Sequence, residues 1–410
     1  MTAKTKALTL VLSVYLSVFA LGEDRSSNAF RPDLTVDLRQ FGYDYIKDGR
    51  LRVGYYWLRN RVVLLDSETL AVSFFIENRN AAAATSPSRS SGDYRFETVF
   101  LDARSGQSLR AQEWSNASFD SGLFPVPGGR FVIWHGLDLT LYASDGHTIK
   151  SSTIDPRLSH LLEVRQSPSG NTLIASSLDR LGEHLLCLSS TDLREIARFD
   201  LHGAKRSGSD SYVVAVQSAQ AQETRYVKPI GPTEVVAYGP ITGDVRTRKL
   251  ITVYKTNDRL FSPVIGFLDD HTLAFSGGDR LEIMSLSGGV LYVYKADRGQ
   301  VRGITPCRDC DLVAFVTTIA KGGLSLLDDT IYKPAKVREV KIVILNRSTR
   351  NVVELPSAGS TTTNPGGVEP GLALAPDGCT LAHQADWRVE IYHICGSELG
   401  RQLGFEPGSE

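Results

Sequence analysis

The chain has 410 residues, with 45 Lys and Arg against 46 Asp and Glu, for a formal net charge of -1. Hydrophobic residues at 42% and charged residues at 22% exclude a disordered polyelectrolyte and a bundle of membrane spans. The charge balance gives no electrostatic ground for a nucleic-acid partner. Length alone suggests two or three domains, since single cores stop growing near about 250–300 residues.

Residues 1–20 read as a secretory signal peptide. Lys4 and Lys6 precede the 14-residue apolar run Ala7–Ala20, and Val18-Phe19-Ala20 offers a cleavage site. Fourteen residues are too few to span a bilayer comfortably, and no later run approaches a spanning length. Removal of 1–20 leaves 43 basic against 46 acidic residues, a balance of -3. Residues 21–40 read as a lead-in, 41–396 as one folded domain and 397–410 as a tail.

An aromatic cluster follows: Phe41, Tyr43, Tyr45, Tyr55, Tyr56 and Trp57. Aromatic rings supply large contact area at low entropic cost, so Tyr43, Tyr45, Tyr55, Tyr56 and Trp57 are candidates for a binding surface. The alternative is that this stretch supplies strands that close the last repeat and bury those rings.

From residue 62 onward one pattern recurs: an apolar strand, a small polar turn, then a second strand opening on a β-branched residue or leucine. It appears at 62–75, 123–134, 161–176, 264–276, 303–316 and 371–383. A second hairpin usually follows, as at 96–109, 137–149, 184–199, 280–294 and 340–355, with an open-ended strand at 388–394. Ser-Gly, Asp-Gly and Gly-Gly in the turns permit the positive φ that tight hairpins need. Turn centres near 128 and 169 lie 41 apart, and those near 270 and 309 lie 39 apart. The 101 residues between 169 and 270 leave room for a degenerate unit built on 211–217, 233–239 and 248–254. Insertions at 81–92 and 359–367 lengthen two other intervals.

A period near 40 with four strands per unit is the signature of propeller blades, each too small to bury both faces alone. The expectation is an all-β chain forming one β-propeller of seven blades, each of four antiparallel strands. A pair of β-sandwiches is the competing fold.

Five cysteines occur. Cys307 and Cys310 form a CxxC followed at once by the strand-like Leu312-Val313-Ala314-Phe315-Val316, so a local disulfide across a tight turn is expected. The odd count leaves at least one thiol unpaired within a monomer. No His pair has metalloprotease spacing, and His383 and His393 become neighbours if 380–384 and 388–394 pair as a hairpin, where ordinary cross-strand packing is the expectation and a ligand pair the alternative. Asp269-Asp270 and Asp328-Asp329 read as turns. No cofactor is expected, with calcium held between loops of different blades as the alternative. No G-x-S-x-G elbow is present.

Gln166 to Leu173 (QSPSGNTL) and Ala375 to Leu381 (APDGCTL) resemble the SPDG-x-x-L hairpins of WD-like and YVTN-type bacterial propeller repeats, and Phe100 to Gly106 resembles their outer hairpin. Such hairpins imply architecture and occur in binders and enzymes alike. The reading is therefore a secreted or periplasmic, monomeric propeller that binds a protein or a small ligand without catalysis. It has no nucleic-acid partner and no membrane span in the mature chain. The inserted loops at 81–92 and 318–339, the latter carrying Ile331 and Tyr332, are candidates for a partner-specific edge. Competing readings are a hydrolase or lyase with a site in the central funnel, and a structural envelope component.

Overall fold

Runs of β-branched and aromatic residues cut by Gly, Asp and Ser build short strands, and every four of them fold back into one sheet. The computed structural model describes residues 30–43, 57–59, 62–77, 94–114, 120–155, 163–167, 169–178, 182–202, 215–217, 224–231, 234–241, 250–255, 264–269, 271–285, 289–320, 337–357, 371–385 and 387–405.

Two strands precede the repeats: β1 (Leu34–Asp37) and β2 (Trp57–Arg59). The first sheet comprises β3 (Val62–Leu64), β4 (Thr69–Glu77), β5 (Tyr94–Asp102) and β6 (Ser108–Trp114). The second holds β7 (Asp120–Val126), β8 (Arg130–His135), β9 (Asp138–Tyr142) and β10 (Thr148–Thr153). The third is β11 (Glu163–Gln166), β12 (Thr172–Leu178), β13 (Gly182–Ser189) and β14 (Glu195–His202). The fourth is β15 (Ala215–Gln217), β16 (Thr224–Gly231), β17 (Glu234–Ile241) and β18 (Leu250–Lys255). The fifth is β19 (Val264–Phe267), β20 (Thr272–Gly277), β21 (Arg280–Ser285) and β22 (Val290–Lys295). The sixth is β23 (Gln300–Pro306), β24 (Leu312–Ala320), β25 (Val337–Asn346) and β26 (Val352–Ser357). The closing sheet is β27 (Leu372–Leu374), β28 (Thr380–Ala385) and β29 (Arg388–His393), completed by β1, and a short helix α1 (Glu398–Leu403) follows.

Six of these sheets consist of four antiparallel strands. The second sheet departs from that plan: β2 joins its β7 edge in parallel, making five strands, with Trp57, Leu58 and Arg59 in register with Asp120, Ser121 and Gly122. The expectation of seven blades of four antiparallel strands is therefore corrected to six such blades among the described residues. A three-residue strand without a turn of its own, β2, gives no repeat signal in the sequence, and it is this strand that sets the second sheet apart.

The first strands of successive sheets adjoin, β3 with β7, β7 with β11, β23 with β27, and β27 with β3 again. This arrangement, with strands laid down from the inner edge outward, is a propeller. Chain closure is made by β1, which pairs antiparallel with β29 from Leu34↔Ile391 to Asp37↔Arg388. Residues read as a lead-in thus supply the outermost strand of the closing sheet.

The hydrophobic cores lie between sheets. Val62, Leu64, Leu70 and Val72 of the first sheet share one cluster with Ala373, Ala382, Val389 and Ile391 of the closing sheet and Val36 of β1. Phe96, Phe100 and Trp114 pack on Leu123, Phe131 and Ile133 of the second sheet. Phe315, Val343 and Leu345 pack on Leu281, Ile283 and Tyr294 across another seam. Central strands are covered on both faces, and so Ile342-Val343-Ile344-Leu345 is apolar without alternation. Outer strands meet water, as in β10 (Thr148-Ile149-Lys150-Ser151-Ser152-Thr153), which has no buried residue.

The recurring turn acids have a common task. Asp66 Oδ1 accepts from the amides of Glu68 and Thr69, Asp102 Oδ1 from Arg104 and Ser105, and Asp269 Oδ1 from His271 and Thr272. These Asx turns reverse the chain between strands. Gly128 and Gly129, at φ 81° and 69°, make the β7–β8 turn in a conformation that L side chains seldom adopt.

Candidate functional site

Because the strands alternate in direction, every sheet has two unlike ends. At one end lie the tight turns joining first to second and third to fourth strands. At the other lie the connections between second and third strands and between sheets. Residues 78–93 join β4 to β5, 321–336 join β24 to β25, and 358–371 join the sixth sheet to the closing sheet, all leaving from this second end. Of the sequence candidates, Tyr45, Tyr55, Tyr56, Ile331 and Tyr332 lie outside the described residues. Trp57 is placed only by its backbone, on the inner edge of the second sheet. Tyr43 is 3% exposed, and its ring meets Phe74 edge-on at 5.4 Å. A ring held in the core offers no surface to a partner, so Tyr43 is removed from the binding candidates; its burial matches the alternative reading of that stretch.

Three buried or half-buried polar clusters sit in the strands beneath the long-connection end. In the first sheet, Trp114 Nε1 donates to Thr98 Oγ1 at 3.0 Å, and Thr98 shares a 2.8 Å hydrogen bond with Ser73 Oγ. In the second, Ser121 Oγ lies 2.7 Å from Nδ1 of its cross-strand partner His135. Phe96 of the neighbouring sheet meets that imidazole edge-on at 5.2 Å. Burial pushes the His135 pKa down to about 4, only partly countered by the charge of Asp138.

The third cluster bridges two sheets. His383 and Glu390, 4% and 2% exposed, are cross-strand partners on β28 and β29. Ser357, the last residue of β26, donates from Oγ to Glu390 Oε2 at 2.9 Å and lies 3.2 Å from His383 Nδ1. The Tyr392 hydroxyl stands 3.5 Å from both Glu390 Oε2 and the Pro356 carbonyl. Burial, then the charge of Glu390, raises the Tyr392 pKa above the ordinary phenol range.

Serine, histidine and glutamate invite comparison with a hydrolytic triad, but the connections are arranged differently. A nucleophilic serine gives its proton to one imidazole nitrogen while the acid holds the other. Here serine and acid both stand beside Nδ1, with Glu390 Oε2 at 3.6 Å, too far for a hydrogen bond. The serine proton goes to the carboxylate, which leaves the serine oxygen to accept from the imidazole. This network pins the sixth sheet to the closing sheet.

The His383–His393 ligand pair is not formed. His383 faces Glu390 and His393 faces Thr380, and no cluster of three metal-ligating side chains occurs among the described residues. Asp269 is engaged by backbone amides, Thr272 and Arg347. Hairpin register could have found the buried pair: Ala385 opposite Arg388 puts His383 opposite Glu390. Sequence reasoning also passed over Trp387, at the same end. The Arg39 guanidinium lies 3.6 Å and that of Arg388 4.2 Å from its ring centroid, and Arg39 also grips Asp37 through two guanidinium nitrogens.

At the tight-turn end, Cys307 is bonded to Cys310 and Cys379 to Cys395, with Cα separations of 5.3 and 4.7 Å. Cys187 is buried in β13 opposite Ile174.

No protein-family model and no curated protein matches the chain. Solved structures that resemble it include a chain of a mitotic checkpoint complex, at 12% identity, covering 88% of this chain and 95% of that one with a TM-score of 0.48. The WD40 domain of Neurospora crassa Pan2 shares 9% identity over 87% and 93%, with a TM-score of 0.49. BamB from Moraxella catarrhalis shares 12% over 80% and 82%, with a TM-score of 0.38. The sheet arrangement alone makes the chain a β-propeller. A likeness this distant concerns fold alone, and matches spread over 708 chains select no function and no particular repeat family. No helix among the described residues is long and apolar enough to cross a membrane.

Proposed function

We propose that this chain is an exported, non-catalytic β-propeller that binds a protein or small ligand through the long-connection end of its ring, and that its repeats are of the degenerate WD-like or YVTN type. The observation that carries the binding surface is topological. The connections 78–93, 321–336 and 358–371 leave the first, sixth and closing sheets from one end, and these sheets include two adjoining pairs. Connections carried by a rigid sheet scaffold are the usual place for a recognition surface. Export rests on the apolar run Ala7–Ala20 and on the disulfides, which persist in oxidising compartments.

Absence of catalysis is argued from the Ser357–His383–Glu390 geometry, in which the serine proton is committed to the carboxylate. The test compares three forms of the chain: unaltered, with 321–336 replaced by a short Gly-Ser linker, and with Ser357→Ala. Ligand capture lost on loop replacement, with capture retained by Ser357→Ala, is the expected result. Ester or glycoside turnover that Ser357→Ala abolishes in a folded protein overturns the reading.

A further inference from the structure

The tight-turn end carries a strap that the binding surface does not use. After β29 the chain passes Cys395, forms α1 with Ser397 as its N-cap, and lies against β25 and β26 of the neighbouring sixth sheet. Leu399 and Leu403 are 3% and 0% exposed. Asn346 Nδ2 and Thr349 Oγ1 donate to the Leu403 carbonyl at 3.1 and 2.9 Å. The strap therefore crosses the seam between the closing sheet and the sixth sheet.

Its base is held by one covalent bond, Cys379–Cys395. The strands on either side need no such bond, because β28 and β29 pair along six residue pairs from Thr380↔His393 to Ala385↔Arg388. The six-residue helix does need help: helices this short are marginal in water and persist only when held against a surface. The two sulfur atoms belong to half-buried residues, and a Cβ built on the adjoining Gly396 would meet nothing within 4 Å. Neither cysteine of this bond is buried.

In the second disulfide Cys310 is also half-buried, but Cys307 is 2% exposed, and its turn is stitched to the closing sheet where Asp309 N donates to the Pro376 carbonyl at 2.9 Å. A Cβ built on Gly378 would lie 2.5 Å from Cys310 Sγ and 2.9 Å from the Phe405 ring, so the end of the strap crowds the same point as Cys310.

We propose that Cys379–Cys395 is a redox latch on the C-terminal strap: oxidised, it holds α1 across the seam, and its reduction by a dithiol releases the strap while the sheets stay folded. A thiolate of the dithiol attacks one sulfur, forming a mixed disulfide and expelling the other cysteine as thiolate. The second thiol of the reductant then attacks the mixed disulfide, closing the reductant's own disulfide and freeing the first cysteine. Two electrons pass to the protein, and two protons end on Cys379 and Cys395. Cys307–Cys310, with Cys307 only 2% exposed, follows more slowly.

The test uses the full chain with dithiothreitol under native conditions, read by timed alkylation and amide hydrogen exchange. Cys379 and Cys395 are alkylated before Cys307 and Cys310. The amides of Arg401, Gly404 and Phe405 exchange about tenfold faster or more, while those of Val389 and Ile391 keep their protection. The variant Cys379→Ala/Cys395→Ala shows the fast strap exchange without reductant, and Cys307→Ala/Cys310→Ala retains the response. Cys307 and Cys310 labelled first, strap exchange unchanged by reduction, or strap and sheet amides losing protection together, overturns the proposal; these readings on the unaltered chain decide it even if a variant fails to fold.

Discussion

His135 makes a quantitative demand on the pH dependence of stability. Its folded pKa is about 4, against about 6.5 for an unstrained imidazole. Burial between the first two sheets, with Phe96 against the ring, disfavours the cation. Above pH 6.5 both folded and unfolded chains hold a neutral His135, and the group's contribution is fully present. As pH falls from about 6.5 to about 4 the unfolded chain takes up a proton that the folded chain refuses, so stability falls; below about 4 the loss levels off. A depression of about 2.5 pKa units corresponds to roughly 3 kcal/mol over that window. His135→Asn keeps a polar partner for Ser121 without a titrating ring. Urea unfolding at pH 7, 5.5 and 4 measures both forms. The unaltered chain loses about 3 kcal/mol more than His135→Asn between pH 7 and pH 4. Parallel losses in the two proteins refute the burial argument.

Glu390→Ala strands Ser357 and His383 in the seam and costs about 3 kcal/mol in urea unfolding, whereas Ser357→Ala costs about 1; equal effects contradict the assignment of Glu390 as the hub. Val36→Asp buries a charge in the closing strand and lowers stability by about 3 kcal/mol or more, measured by the same denaturation. Phe315→Ala removes a fully buried ring that meets Tyr294 edge-on at 5.0 Å, with a cost of about 3–5 kcal/mol. Val293→Thr, on an outer strand and 49% exposed, stays within about 0.5 kcal/mol.

The repeat was legible because turn chemistry is local. Turn centres near 67, 128, 169, 270, 309 and 377 each fall between or beside the first and second strands of a sheet. The degenerate unit between 200 and 260 is read from 211–217, 233–239 and 248–254, which overlap β15, β17 and β18, whereas β16 gives no signal because Pro229 interrupts it. What escaped was non-local. β1 and β2 have too few residues to show periodicity, and each is specified by the edge that receives it, β29 for one and β7 for the other. The uneven strand count follows from that. Tyr43 read as a surface aromatic because its neighbours in sequence are aromatic, while its neighbours in space are Phe74 and the first core cluster. The Ser357–His383–Glu390 network joins two sheets, and only the His383–Glu390 half of it could be reached from a hairpin register.

The binding surface is tested most directly by a hydrogen-exchange footprint on the complex that a tagged chain captures from its native extract. Protection on binding is expected at the strand ends around Glu77 and Tyr94, Ala320 and Val337, and Ser357 and Leu372. Protection confined to the tight turns at 127–129, 307–311 and 375–379 contradicts the account.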